Sequence, residues 1–189
     1  MAKREPGAPR GADGGEIQAV APPPDIDGYI GPPDGSLKWL SPFEGGAEDY
    51  GYAKFFASVD SVLLGRRTYE QSLGFGKWPY EGKRCWVFSR QKLEGAPPGV
   101  TVTMHSPREV VRQMKAQKLG RAWLVGGGEL AGAFRAEGLI REYIISVIPV
   151  MLGKGIQLFG GNGTQEALTL VESQRYASGI IQLRYAKEK

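Results

Sequence analysis

Residues able to do chemistry gather at three places where a short apolar run gives way to glycine, a hydroxyl or a basic group. Leu63-Leu64-Gly65-Arg66-Arg67-Thr68 is one, Phe88-Ser89-Arg90 a second, and Val125-Gly126-Gly127-Gly128-Glu129-Leu130 a third. Glycine at a strand-to-helix turn lets backbone N–H groups approach a phosphate, and the helix N-terminus adds a favourable partial charge. Arg66 and Arg67 fall in a helix's first turn, where the dipole disfavours cations. A solvated arginine pair leaves that conflict standing; an anionic ligand removes it, and arginine's planar fork suits phosphate. Gly126-x-Gly128-x-x-Ala131 fits the dinucleotide pattern, although a tight turn under a closely packed helix reads the same way. It is no Walker loop, because no Lys-Ser/Thr follows. Three such junctions on one sheet describe a single nucleotide lying across its carboxyl edge.

Two acids are candidates for proton chemistry. Asp27 precedes a glycine and also reads as a turn. Asp49 lies three, four and seven residues before Tyr52, Ala53 and Phe56, which places it on an apolar helical face. There a carboxyl group has a raised pKa, although acids also favour a helix's first turn for the dipole alone. Trp39 and Trp78 sit in loops and could line a pocket, with Tyr52 on the helix beside them. Cys85 and His105 are the only residues of their kinds, which argues against a disulfide, a zinc site or a Ser-His-Asp triad. We expect no metal.

The elements that must hold these residues alternate. Glycine and proline number 28 and 13, and beyond residue 15 they punctuate the chain at discrete points. Residues 1–15 read as a disordered tail and 16–189 as one domain. Strands are expected at Ile17–Ala21, Ser61–Leu64, Cys85–Ser89, Val100–Met104, Ala122–Val125 and Glu142–Met151, then at Ala167–Gln174 and Gly179–Ala186. Helices are expected at Ala47–Ser58, Arg66–Ser72, after the Ser106-Pro107-Arg108-Glu109 capping box, and at Glu129–Glu137. Alternation followed by a strand-rich end means an α/β fold, a mostly parallel sheet with antiparallel C-terminal strands. A net charge of +4, from 24 basic and 20 acidic residues, is too mild to argue for nucleic acid. No apolar run approaches the length of a membrane helix. The basic start has no apolar stretch after it, so the expected compartment is the cytoplasm.

These segments, in order and spacing, resemble the cofactor-binding parts of the dihydrofolate reductase-like superfamily. Asp27-Gly28-Tyr29-Ile30, Ser36–Pro42, Trp78-Pro79-Tyr80, the Val125–Phe134 stretch and Pro149-Val150-Met151-Leu152-Gly153-Lys154-Gly155-Ile156-Gln157-Leu158-Phe159 look more closely like the reductase C-terminal domain of the riboflavin-pathway deaminase-reductases. The resemblance covers about residues 17–187. It implies a three-layer α/β/α fold, NADPH as cofactor, and hydride transfer to a heterocyclic or sugar-linked substrate resembling a pterin or pyrimidine. It places Gly65, Arg66, Arg67 and Thr68 on the phosphates of the adenosine side and Ser89 and Arg90 on the ribose 2′-phosphate. Gly126, Gly127, Gly128 and Glu129 fall at the pyrophosphate, with Val125 and Leu130 flanking them in the cofactor site, and Asp27, Gly28 and Ile30 beside the nicotinamide. Asp49 falls where folate-reducing members bind the pterin ring. Two departures stand out: Pro22-Pro23-Pro24 enters the first loop, and Val125 replaces an acid that the riboflavin reductases carry. Three functions are therefore weighed. The first is a general NADPH-dependent reductase, the second a 5-amino-6-(5-phosphoribosylamino)uracil reductase, and the third an NADPH- or flavin-binding module without turnover. A homodimer is expected, because the run Tyr143–Val150 and the end Ile180–Leu183 would otherwise leave a sheet edge open.

Overall fold

Val62–Leu64, Cys85–Val87 and Ala122–Val125 are apolar at successive positions, as strands must be when helices cover both faces of a sheet. The computed structural model describes residues 16–20, 22–44, 48–160 and 165–188. The expected tail over 1–15 lies outside the described residues, as do Ala21 and the start of the expected helix at Ala47. In chain order the elements are β1 (Glu16–Val20), α1 (Tyr52–Ser58), β2 (Ser61–Gly65), α2 (Arg66–Leu73), β3 (Arg84–Phe88), β4 (Val100–Thr103), α3 (Pro107–Ala116), β5 (Arg121–Gly126), α4 (Gly128–Ala136), β6 (Ile140–Val147), β7 (Leu168–Arg175) and β8 (Ile181–Lys187). They form one eight-stranded sheet in the order β4-β3-β2-β5-β1-β6-β8-β7. The six strands from β4 to β6 are parallel, and β8 and β7 add an antiparallel end. The fold class read from the sequence is the one observed.

Alternate side chains feed two cores. Val62, Leu64, Cys85, Val87, Trp123 and Val125 meet the layer carrying Phe55, Phe56 and Tyr69, from α1 and α2. Leu63, Trp86, Ala122 and Leu124 meet Val110, Val111 and Met114 of α3 and Ala131 and Phe134 of α4. Trp123 anchors the first layer, with Phe55, Tyr80, Tyr52 and Phe56 edge-on to its ring at 5.4, 5.5, 6.0 and 6.5 Å.

Three expectations are revised. The first helix begins at Tyr52, because Gly51 at φ 77° interrupts the chain just before it. The long strand ends at Val147: Ile148 N–H turns aside to the Pro24 carbonyl, and Pro149 has no N–H to continue the ladder. β8 then pairs with β6 from Glu142 to Val147, so the open edge at the antiparallel end of the sheet is β7, where Leu170 and Val171 are exposed. A short 3-10 turn, Lys38–Phe43, also lies within a stretch expected to be loop.

Candidate active site

The strand register aligns the carboxyl ends of the parallel strands. Gly65 stands opposite Phe88, Leu64 opposite Gly126, Phe88 opposite Thr103, and Ala19 opposite Leu124. β2 and β5 are neighbours, yet α2 follows β2 onto one face and α4 follows β5 onto the other. That divergence opens a crevice at the sheet edge. Its walls are backbone: a Cβ on Gly65 would stand 3.5 Å from both the Gly126 carbonyl oxygen and the Gly127 nitrogen. A Cβ on Gly127 would come 3.7 Å from Thr68 Oγ1, so the two junctions share one cradle. Gly126 has φ 115°, which side-chain-bearing residues rarely adopt, and its peptide bond to Gly127 is cis.

Both helices at the crevice start without a side-chain cap. Gly65 precedes α2 and Gly127 precedes α4, and among the described residues no side chain caps either N-terminus. α3, away from the crevice, is capped by Ser106, whose Oγ accepts the Glu109 N–H at 3.3 Å. Two unclaimed sets of first-turn N–H groups side by side suit a diphosphate.

The basic groups at this edge are not equivalent. Arg66 Nη1 donates to both oxygens of Glu70, at 2.7 and 2.9 Å, along the first turns of α2. Arg67 and Arg90 are exposed, and among the described residues neither has an ion-pair partner within 4.0 Å. Ser89 is buried, and its hydroxyl donates to the Gln91 carbonyl at 2.7 Å while accepting the Gln91 N–H at 3.0 Å. The hydroxyl shapes the loop that presents Arg90. Val125 and Leu130 pack into the two cores on either side of the glycines, and Glu129 is exposed in the first turn of α4.

The loop carrying Asp27, Gly28 and Ile30 is laced to the segment 148–160. Ile30 N–H donates to the Ile156 carbonyl and Leu158 N–H to the Gly28 carbonyl, at 2.8 and 3.0 Å. Asp27 Oδ2 accepts the Gly153 N–H at 2.8 Å. The segment then crosses α4, where Cβ atoms on Gly128 or Gly132 would strike the Gln157 or Gly160 carbonyl. Asp25, not singled out from the sequence, is 1% exposed and accepts the Tyr29 and Leu152 N–H groups.

Asp49 behaves differently from the expectation of a raised pKa. Its carboxylate is exposed and accepts the Gly51 and Ala53 N–H groups, which hold it below its ordinary value. The acid caps its helix from outside rather than facing apolar neighbours. Tyr52 is half exposed, stacked on Phe56 against Trp123. Trp78 is packed between Tyr69 and Tyr80, so its ring belongs to the aromatic layer. Trp39 sits in the 3-10 turn beside Gly31, and its buried Nε1 has no acceptor among the described residues. A cavity of about 560 Å³ lies at the opposite edge of the sheet, lined by Val59, Asp60, Lys83, Arg84 and Leu119 among others, and holds none of these residues. Among the described residues no cluster of His, Cys, Asp or Glu could hold a metal ion.

The switch-point crevice, the strand order and the antiparallel end define a dihydrofolate reductase-like α/β fold. The same fold is seen in dihydrofolate reductase from Enterococcus faecalis complexed with NADP(H), at TM-score 0.64 and 18% identity, over 93% of this chain and 98% of that one. The chain belongs to the RibD C-terminal domain family, which it matches over residues 81–182. The uncharacterized protein YwjB of Bacillus subtilis (strain 168) is 37% identical over 163 residues, 86% of this chain and 92% of that protein. A putative riboflavin biosynthesis protein from Shewanella sp. PV-4 superposes at TM-score 0.81 with 27% identity, over 93% of this chain and 99% of that one.

Proposed function

We propose that the chain is an NADPH-dependent reductase transferring a hydride to a small heterocyclic or sugar-linked acceptor of pterin or pyrimidine type. The observation that carries this reading is the pair of uncapped glycine-led helix starts, α2 and α4, sharing one cradle at the switch point. NADPH fits that donor set. The first-turn N–H groups, with Thr68 and Arg67, would take its pyrophosphate, and Arg66 and Arg90 the 2′-phosphate. Gly65, Gly126 and Gly127 keep the cradle open for backbone contact. Bound there, the nicotinamide supplies the hydride. The loop around Gly28 and Ile30 would form the wall at that end. Asp27, with Oδ2 held by Gly153, would keep Oδ1 available to position a proton on water or substrate. Trp39 offers an unsatisfied indole N–H for an acceptor on the substrate.

The Shewanella relative's name favours riboflavin-pathway chemistry as the second reading; the substrate would then be the 5-amino-6-(5-phosphoribosylamino)uracil that the resemblance implies. A thermal shift with NADPH, NADH, FMN and dihydrofolate, followed by NADPH oxidation over a panel of pterins, pyrimidines and quinones, tests the assignment. At a hundredfold excess over Kd, NADPH should raise Tm by roughly 5–10 °C. No shift with NADPH overturns the reading. A shift without turnover on any acceptor favours the binding module.

A further inference from the structure

Glu70 has no place in the cofactor reading, yet it holds the guanidinium of the arginine nearest the cradle. Arg66 opens α2, and its Nη1 donates to both Glu70 oxygens at 2.7 and 2.9 Å. The pair is one helical turn apart, the spacing at which such side chains meet. Among the described residues Arg67 and Arg90 carry no such partner. The edge therefore presents three guanidinium groups, and one of them is neutralised from within the same helix.

We propose that Glu70 is a specificity-determining residue, an internal counter-anion that competes with the cofactor's 2′-phosphate for Arg66. The inference rests on the nucleotide reading given above. A dianionic phosphate arriving at Arg66 must displace the carboxylate or share the guanidinium with it. Either course costs attraction that an uncompensated arginine would give in full, and a carboxylate left nearby repels the phosphate. NADH brings no charge to that place, so Glu70 leaves its binding largely alone. The net effect of Glu70 is to narrow the preference for NADPH over NADH. The ion pair is half-buried at Arg66 and exposed at Glu70, and a pair so open to solvent adds little to stability, so its removal leaves the fold intact.

The test measures NADPH and NADH dissociation constants by fluorescence titration, across a salt series, for the native chain, Glu70→Gln, Arg66→Ala and the double variant. Glu70→Gln should tighten NADPH roughly three- to tenfold, change NADH less than twofold, and steepen the salt dependence of NADPH binding. In the Arg66→Ala background the same substitution should do nothing. An unchanged or weaker NADPH affinity in Glu70→Gln, with Arg66→Ala still weakening NADPH selectively, overturns the role of Glu70 alone. If Arg66→Ala alters neither dinucleotide although the native chain binds NADPH, the placement of the 2′-phosphate at Arg66 falls with the role of Glu70; if the native chain does not bind NADPH, the nucleotide reading itself falls.

Discussion

Asp27 accepts the N–H of Gly153 at 2.8 Å, while Asp25, two residues earlier, accepts the N–H of neighbouring Leu152 at 2.6 Å. Alternate carboxylates of one loop thus grip consecutive amides of another, and the grip fixes Gly28 and Ile30 against residues 156–158. The two acids differ in burial. Asp25→Ala strands two buried N–H groups and should cost roughly 2–5 kcal/mol in denaturant unfolding. Asp27→Ala, at an exposed position, should cost less than about 1 kcal/mol. Equal losses would show that burial does not separate the two.

Gly132 sets two effects against each other. Alanine in a helix interior is favoured over glycine by about 1 kcal/mol. Here, however, a Cβ would collide with the Gly160 carbonyl where the 156–160 segment crosses α4. Overpacking against backbone should win, so Gly132→Ala is expected to lose roughly 1–3 kcal/mol of stability. A more stable variant would mean that the crossing segment gives way without cost.

Arg90 is exposed and lacks an ion-pair partner among the described residues, so its replacement should touch binding and little else. Arg90→Ala should weaken NADPH about five- to tenfold at low salt and leave NADH within twofold. Equal weakening of both cofactors would move this arginine from the 2′-phosphate to the shared part of the dinucleotide.

Cys85 lies in β3, and burial pushes its thiol up to about 12. With so little thiolate, alkylation at pH 8 should proceed only as fast as the chain opens, and at once in denaturant. The linkage has a definite sign. Between the ordinary thiol value and about 12 the unfolded chain loses a proton that the native one keeps, so stability falls as pH rises. Tyr80, also raised to about 12 by burial, acts in the same direction. Rapid native-state alkylation of Cys85 at pH 8 would contradict this.

Self-association is expected through β7, the open antiparallel edge with Leu170 and Val171 exposed. Light scattering at micromolar concentration should give a dimer, and Leu170→Lys should return a monomer. A monomeric native chain would refute it.

The strands and the two glycine junctions were legible in the sequence because continuous apolar runs and glycine punctuation are local signals. Asp49 was misread because its acid caps the helix from outside, and spacing alone cannot tell a cap from a helical position. Trp78 sits in a loop by sequence, but its neighbours Tyr69 and Tyr80 make it part of the core. Asp25 reads as one more loop acid: its bond to the Tyr29 N–H is local, and the partner that ties it to the other loop, Leu152, lies 127 residues away. Glu70 did have one: its spacing of four from Arg66 marks an ion pair on any helix.

The strand order has a consequence for how the chain reaches this state. β1 pairs only with β5 and β6, and β2 reaches β1 only across β5. A nascent chain ending after β4 therefore holds β2, β3 and β4 in contact but leaves β1 without a neighbour. The late arrival of β5 joins the two halves and, in the same step, brings Gly126 and Gly127 against Gly65. Such non-local closure slows folding. It also means that no partly assembled chain owns the glycine cradle, so a dinucleotide bound as proposed would engage only molecules whose sheet is already closed and would draw the population toward them.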